Sequence, residues 1–576
     1  MIPKGAAFQE FTMKEMDTRQ AVGFWIRLWA GLWDVIFVTL LVVAAGRVGI
    51  LMNWYLPIEL TVLLAYPAYT VLAHRWKAQT IGKWICGIAV TASNNQTAGL
   101  GRIVLRETVG KLASVLPLGG GFLWCAVFRR KRALHDYIAG TIVVRRPLPF
   151  GRWGCAVAAL LVMGILIVAL DVPGLVAIGG DFIAMRPAGA VDIPFERRDP
   201  ALVVDAASLD ESQLNTCSTW LRSNAATPIE YVVAKAQQHQ VVIFGEVHEK
   251  KEALALLNEL IPQLYHRAHV TKVAMEVFLS EDNDRLKRLV TAEDFSRGLA
   301  MQIARHQPWG IWGFKEYWDV METVWRLNKS IPRDQEKVLI VGLDSPIDMA
   351  SIGMTIGEGD NPSRHCPIWE KLRVVRLLRG LPKVLARDVR MAREIEREII
   401  TKDDRAIVWV GGQHAMPSPQ PVNFSGLRAT RMGALLRQKH GGKVFCIKLH
   451  GWAIPASHVD SKYRGPEPII GSKIEEVMRR SGLAAVGFDT ALSPFGRLRD
   501  AAAFDYHYEP RLGLEDIADG YLYIKPWREF TQCTWLSGYI TRQMFAANKP
   551  FYQAFGWKEG KRFEDADAVN RFFENQ

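Results

Sequence analysis

Acidic and imidazole side chains follow four apolar runs in the C-terminal two-thirds of this 576-residue chain. The runs are VVIF, VAM, VLIVGL and AIVWV, and the helical stretches between them predict parallel strands joined by crossovers. Open parallel sheets collect their site residues at the carboxyl ends of the strands. The side chains found there form the candidate site: Glu246, His248, Glu276, Asp344 and His414.

Glu246 and His248 stand two residues apart, so their side chains point the same way if the chain stays extended. A carboxylate beside an imidazole can orient the ring and raise its basicity, as a general base requires. The same pair could hold a divalent metal, with His248 and His414 as candidate ligands. The alternative is a capping glutamate beside a hydrogen-bonded histidine. The next four residues, 249–252, are all charged and predict a solvated helix start.

The other strand-end residues also have two interpretations. Glu276 and Asp344 could position groups or a metal in the site, or they could cap the helices that follow them. His414 comes after two glycines that let the backbone fold tightly. Two histidines at the ends of different strands can face each other across a crevice, which favours a site. His450, after VFCIKL, is a weaker candidate of the same kind.

Two further segments are candidates for ligand binding. The stretch 309–318 is rich in aromatic residues, including Trp312 and Tyr317, and is either core and crevice wall or a platform for a flat ligand. Arg387 opens a predicted helix and could anchor an anionic ligand or pair with an acid of the crevice. The core-facing positions of that helix are Met391, Ile395 and Ile399.

Charge and apolar residues are unevenly distributed along the chain. Residues 1–150 hold 17 Lys and Arg against 7 Asp and Glu, whereas the remainder holds 54 against 52. The basic excess therefore belongs to the apolar part and indicates positive-inside membrane topology. The near-neutral remainder argues against nucleic acid as a partner.

Apolar runs predict three membrane spans, at 23–46, 53–73 and 153–170. The stretch 103–128 lies between basic clusters, carries charges of its own and predicts an interfacial or re-entrant hairpin. With the N-terminus inside, an integral protein of the inner membrane follows, surrounded by membrane lipid. Its α/β part is then expected in the periplasm.

Arg27, Asp34 and Asp136 are an arginine and two aspartates of the apolar part. With these residues, the stretch 21–146 resembles the RDD family of small membrane domains, which is named after an arginine and two aspartates. The turn Gln79–Lys83 matches its GQTxGK-like motif. The resemblance implies a helical membrane domain, and transport has been proposed for some members.

The later motifs resemble the haem-binding uptake, Tiki and ChaN group, which shares a fold with the erythromycin esterases. This resemblance implies either a hydrolase or a protein that binds haem or another iron compound. The aromatic segment favours haem, whereas residues 251–254 lack the histidines that ChaN-like members carry there. The matching motifs are GEVH at 245–248, AMEVF at 274–278, the segment Trp312–Tyr317, RDxxMA at 387–392, GGQH at 411–414 and DGYL at 519–522.

The predicted fold is an α-helical membrane domain followed by a soluble α/β domain with a mainly parallel sheet flanked by helices. The favoured function is a membrane-anchored hydrolase whose Glu/His site activates water on an ester-like small molecule. The alternatives are a haem-binding uptake protein and an RDD-type transporter or sensor regulated by the outer domain. The predicted boundaries are a tail at 1–20, the RDD-like domain at 21–146, a further transmembrane helix at 147–180, a linker at 181–228, the α/β domain at 229–530 and a helical extension at 531–576.

Overall fold

We describe the fold from a computed structural model of the chain. The predicted tail 1–20 and the predicted transmembrane helix 147–180 lie outside the described residues, as do parts of the segments on either side of them. The described residues are 21–51, 58–94, 96–115, 120–128, 130–146, 181, 184–185, 197–307, 310–346, 386–418, 431–453, 467–468, 473–500, 509–558 and 560–575.

The chain divides into two compact units, residues 1–173 and 174–576. The N-terminal unit is helical, apart from one antiparallel hairpin of β1 (Ile88–Ala92) and β2 (Thr141–Arg145). A π-helix, Arg106–Gly110, continues the helix before it. The α-helices of this unit are Phe24–Leu51, Ile58–Lys77, Ile81–Ile85, Leu100–Leu105, Lys111–Val115, Gly120–Val127 and Leu134–Ala139.

Among the described residues, no single helix is both long and apolar enough to cross a bilayer by itself. The helical stretches Leu100–Val115 and Gly120–Val127 pass that test only as a pair, and the pair is bent by 97°. The bend falls within 103–128, where the sequence predicts a hairpin. The placement of this hairpin in a membrane stays a prediction.

The C-terminal unit is built around a seven-stranded sheet with the order β11-β13-β8-β4-β7-β5-β6. All neighbouring pairs are parallel except β11 with β13. The predicted mainly parallel α/β fold is therefore confirmed. The strands of this unit are β3 (Val204–Asp205), β4 (Val241–Glu246), β5 (Lys272–Leu279), β6 (Leu339–Asp344), β7 (Ala406–Gly411), β8 (Val444–Leu449), β9 (Trp452–Ala453), β10 (Glu467–Pro468), β11 (Val486–Asp489), β12 (Leu498–Arg499) and β13 (Gly520–Tyr523).

Helices cover both faces of this sheet because each presents an apolar stripe to it. The helix Lys251–Ala268 buries Leu254, Leu257, Ile261 and Leu264, which recur at helical spacing. The helix Arg387–Glu398 buries Met391 and Ile395, as predicted. The α-helices of the unit are Glu211–Asn224, Pro228–Gln238, Lys251–Ala268, Asn283–Thr291, Arg297–Arg305, Lys315–Ser330, Arg387–Glu398, Met432–His440, Lys473–Ser481, Leu514–Ile517, Arg542–Ala547, Lys549–Lys558 and Ala566–Glu574.

Two boundaries differ from the prediction. The predicted linker 181–228 contains the helix Glu211–Asn224, which buries Leu214, Cys217 and Leu221 in a core cluster. Polar residues between those positions hide the stripe in the sequence. The predicted extension 531–576 is helical but packs into the main core, to which it contributes Tyr552, Val569 and Phe573, among others. Both segments are therefore part of the folded α/β domain.

Candidate active site

The carboxyl ends of the neighbouring strands β4, β7, β5 and β6 carry the predicted site residues. Glu246 is the last residue of β4, and Asp344 is the last residue of β6. Glu276 lies inside β5, just after Met275, where the pairing of β5 with β7 stops and its register with β6 shifts. His414 follows the end of β7 by three residues. Parallel strands thus bring four distant segments to one edge of the sheet.

Glu246 and His248 form the pair that their spacing predicts. The Nδ1 atom of His248 lies 2.8 Å from Oε1 of Glu246. The same carboxylate accepts hydrogen bonds from the Tyr317 hydroxyl at 2.6 Å and from the Trp409 indole at 2.5 Å. Three donors therefore fix Glu246, which is buried, and through it the ring of His248.

The Glu276 carboxylate lies between the two histidines. Its Oε1 atom is 3.3 Å from Nε2 of His248, and its Oε2 atom is 3.7 Å from Nε2 of His414. The Gly411 amide donates to Oε1 at 3.0 Å. Burial disfavours the charge, but Arg387 and His248 outweigh it, so the pKa of Glu276 is lowered. The two imidazoles thus converge on one buried carboxylate.

Arg387 lies across this carboxylate with its donors directed to three groups. Its Nε donates to Asp344 at 2.6 Å, its Nη1 to Nε2 of His414 at 2.9 Å, and its Nη2 to Glu276 at 3.3 Å. Burial raises the pKa of Asp344 despite this cation. Of the two predicted roles for Arg387, pairing with acids of the crevice is the one observed.

His414 is oriented by Asp388, which the sequence analysis places only in a motif and gives no role. The Nδ1 atom of His414 lies 2.7 Å from Oδ1 of Asp388. Arg387 can only donate, so Nε2 of His414 accepts, and the single ring proton sits on Nδ1. The amide of Met432 also donates to Asp388. Burial disfavours the charge of this acid, but its interactions with His414 and then Arg431 outweigh burial and lower its pKa to about 2.

The His248 ring differs from that of His414 because it carries a proton on both nitrogens. Burial opposes a charge on this ring, but the hydrogen bond to Glu246 and the charges of Glu276 and Glu246 outweigh it. They raise the pKa of His248 to about 9. At neutral pH the ring is therefore an imidazolium. Both of its nitrogens face carboxylates, and its side chain is 38% exposed. A charged ring cannot accept a proton, so the predicted general-base role does not fit His248 near pH 7.

Aromatic side chains form the wall beside His248. The Trp312 ring meets the His248 ring edge to face, with the centroids 4.8 Å apart. The buried Tyr317 ring lies 5.5 Å from that of Trp312, and its hydroxyl accepts the Glu249 amide. The predicted aromatic segment therefore supports the imidazole.

Two predictions from sequence are wrong about surroundings. The charged run 249–252 is not fully solvated, because residues 531–533 pair with it. His450 is buried, but its ring nitrogens contact Tyr521 at 2.7 Å and Glu475 at 3.0 Å. It forms a separate cluster and joins none of the site contacts described above.

In the N-terminal unit, the predicted Arg27 and Asp136 pair directly, at 2.5 Å. Asp136 also accepts from Arg106 at 3.0 Å. Asp34 is fully buried and accepts from the Thr80 hydroxyl at 2.6 Å and the Gly82 amide at 2.8 Å. The GQTxGK-like turn thus supplies two donors to Asp34, and the Tyr69 hydroxyl supplies another at 3.0 Å.

Metal ligation was predicted as one role for His248 and His414. In the parts of the chain that the structure describes, no group of three or more His, Cys, Asp or Glu side chains is placed to hold a metal ion. The guanidinium of Arg387 lies within 3.3 Å of both His414 and Glu276 and would repel a dication there.

Sequence comparison assigns the N-terminal unit. Residues 21–140 match the RDD family model. An uncharacterized protein of Bacillus subtilis, YckC, is 37% identical over 135 residues, which cover 22% of this chain and 87% of YckC. The chain belongs to the RDD family. A second B. subtilis protein, the uncharacterized membrane protein YteJ, is 28% identical to this RDD protein over 144 residues, or 23% of the chain and 87% of YteJ.

The α/β domain has its own match. Residues 232–332 match the family described as haem-binding uptake, Tiki superfamily, ChaN. This match includes Glu246, His248 and Glu276 but ends before Arg387 and His414. Among solved structures, an erythromycin esterase mutant in its open conformation is 13% identical, with a TM-score of 0.35 over 53% of this chain and 94% of that one. Identity this low leaves the activity to be argued from the residues of the domain itself.

The raised pKa of His248 predicts a pH-dependent contribution to stability. The folded-state pKa lies above the unfolded value of about 6.5, so the contribution is complete below about pH 6.5 and is lost as the pH rises through about 9. We expect the difference in Tm between the wild type and His248→Gln to be largest near pH ~6 and to close by about pH 10. Thermal unfolding of the full chain, followed by circular dichroism, measures it. A constant difference across this range would contradict the raised pKa.

The close approach of His248 to β7 requires glycine at position 411. A methyl group on Gly411 would lie 2.7 Å from Nε2 of His248, whereas one on Gly412 would find its nearest neighbour at 3.4 Å. We expect Gly411→Ala to displace the His248 ring from Glu276 and so to lower the pKa of His248. Diethyl pyrocarbonate attacks the neutral ring, so labelling of His248 at pH ~7 should rise at least about tenfold. Gly412→Ala is the matched control, and an equal rise in both variants would refute the steric argument.

Proposed function

We propose that the α/β domain is a hydrolase of ester-like small molecules in which His248 acts as the general acid and His414 as the general base. The observation that carries this proposal is the pair of imidazoles on either side of Glu276. His248 is held as a cation by carboxylates, whereas Nε2 of His414 accepts from Arg387. One imidazole with a proton to give and one with a nitrogen that accepts can serve as a general acid and a general base.

In the proposed reaction, the substrate carbonyl oxygen draws a donor of Arg387 away from His414. The freed Nε2 then takes a proton from water, which attacks the carbonyl carbon, while Asp388 holds the Nδ1 proton and stabilises the cation that forms. His248 gives its proton to the leaving alkoxide, and the bond between carbon and that oxygen breaks. The products are a carboxylic acid and an alcohol. The sequence predicts that His248 activates water, whereas this proposal assigns that step to His414.

The absence of a GxSxG elbow in the sequence supports direct attack by water over a covalent serine intermediate. Trp312 packs against the His248 ring, Tyr317 holds the Glu246 carboxylate that orients it, and Asp344 supports the orientation of Arg387. Each named side chain therefore has a place in one reaction.

Haem binding is the alternative that the family description of residues 232–332 suggests. The residues present do not fit an axial ligand. Both nitrogens of His248 face carboxylates, and both nitrogens of His414 are hydrogen-bonded. Tyr317 is fully buried, and its hydroxyl is shared between Glu246 and the Glu249 amide. Haem therefore has no part in the proposed reaction.

Turnover of 4-nitrophenyl acetate by the full chain tests the proposal. We expect His414→Ala and Asp388→Asn to lower kcat by about 10²- to 10⁴-fold, because each removes the base or its orientation. His306→Gln, which changes a half-exposed histidine elsewhere on the domain, should retain the wild-type rate. Activity should fall above about pH 9 as His248 loses its proton. A wild-type chain without turnover that gives a Soret band on haem titration would support the alternative instead.

We propose further that residues 1–180 anchor the protein in the inner membrane, with the α/β domain in the periplasm. RDD membership and the basic excess of residues 1–150 support this placement. The carboxylates of Asp34 and Asp136 are occupied by donors, which favours a structural role for them over transport.

Cysteine labelling tests this topology. In a chain without other reactive thiols, we expect Lys287→Cys to react with a membrane-impermeant maleimide in intact cells. Glu10→Cys should react only after permeabilisation, since the N-terminal tail is predicted to face the cytoplasm. The reverse pattern would place the α/β domain inside the cell.

A further inference from the structure

A short C-terminal segment, residues 531–536, crosses between the two loops that line the site. We call it the C-terminal strap. It pairs on one side with the loop that follows His248 and on the other with the segment that carries Trp312. Its backbone hydrogen bonds are Lys251 N to Thr531 O at 3.0 Å, Cys533 N to Glu249 O at 2.9 Å, Lys315 N to Thr534 O at 2.8 Å and Leu536 N to Gly313 O at 2.8 Å.

Glu249, next to His248, has an unusual backbone. Its φ is +66°, in the left-handed region that non-glycine residues rarely adopt. Residues in such conformations persist when their surroundings over-determine them. Here the Glu249 amide donates to Tyr317 at 3.0 Å, and Gln532 of the strap donates to the Glu249 carboxylate at 2.5 Å.

Gln532 is the strap side chain that acts on this turn. Its amide nitrogen donates to Glu249, and its amide oxygen accepts from Lys250 Nζ at 3.0 Å. The amide therefore contacts both residues that follow His248. The threonines of the strap act elsewhere, because Thr531 bonds to Glu252 and Thr534 to Glu316.

The direction in which the chain leaves His248 determines where its ring lies. The charged and titratable groups around that ring are Glu246 and Glu249 of its own loop and Glu276 of β5, with Tyr317 of the adjoining helix bound to Glu246. If the turn at Glu249 relaxes, the ring leaves Glu246 and Glu276 together. The left-handed turn is thus a condition for both contacts.

We propose that Gln532 is a positioning residue for His248, acting through the left-handed turn at Glu249. This assignment rests on the proposed hydrolase function for its catalytic consequence. Its structural content, that the strap amide keeps the His248 ring between two carboxylates, does not depend on any substrate.

An exchange of side chains tests the assignment in the full chain. Gln532→Leu removes the donor to Glu249 while keeping similar bulk. The double variant Gln532→Glu with Glu249→Gln restores a hydrogen bond between an amide and a carboxylate with the two roles reversed. Thr531→Val is the matched control, since it removes a strap side-chain contact that does not involve Glu249.

Two readouts separate positioning from a general loss of structure. The first is kcat and KM for 4-nitrophenyl acetate, and the second is the rate at which diethyl pyrocarbonate labels His248 at pH ~7. We expect Gln532→Leu to lower kcat at least about tenfold with KM little changed, and to raise labelling about tenfold for each unit by which the pKa of His248 falls. The exchange variant and Thr531→Val should stay within about threefold of the wild type in both readouts.

The assignment is overturned if Gln532→Leu matches Thr531→Val, or if the exchange variant is as impaired as Gln532→Leu. Labelling of the buried His450 reports unfolding, and if it appears in Gln532→Leu, the exchange variant alone decides. A wild type that does not turn over the ester would refute the hydrolase, whereas the labelling of His248 would still test the role of Gln532.

Discussion

A buried carboxylate with too few partners would destabilise this α/β domain, and Glu276 is the residue on which that constraint falls. It is buried at the sheet edge, where an ionised group is tolerated only if charges and donors compensate it. Arg387, His248 and the Gly411 amide provide that compensation from three different segments. Arg387 also contacts His414, so the contacts that compensate the buried charge of Glu276 also position both imidazoles.

The sheet supplies these partners through its strand order. Because β4, β7 and β5 are neighbours, Glu246 and Glu276 come within hydrogen-bond reach of the His248 ring, and the Gly411 amide comes within reach of Glu276. The glycine at position 411 leaves room for that ring. Farther from the reacting groups, Asp388 and Gln532 act on the two histidines from a helix and from the strap, respectively. Each of these two residues thus orients one histidine of the site without belonging to the sheet.

Much of this arrangement could be predicted from the sequence because it follows from local rules. Strand-end positions gave Glu246, Asp344 and His414, and a spacing of two gave the contact between Glu246 and His248. That spacing also indicates a raised basicity of His248, but the contribution of Glu276 could not be predicted, because it comes from another strand. The role of Asp388 could not be predicted. Neighbouring helix residues point about 100° apart, so the sequence alone does not place both Arg387 and Asp388 in the site.

The strap was the least predictable element, because Gln532 lies 283 residues beyond Glu249 in the chain. That separation also has a consequence for synthesis. A ribosome releases the RDD domain first, then His248, and reaches position 532 only after most of the sheet has emerged. A nascent or prematurely ended chain can therefore enter a bilayer and form most of its strands while the turn after His248 still lacks its contact with Gln532. The surroundings of His248 are therefore completed only near the end of synthesis.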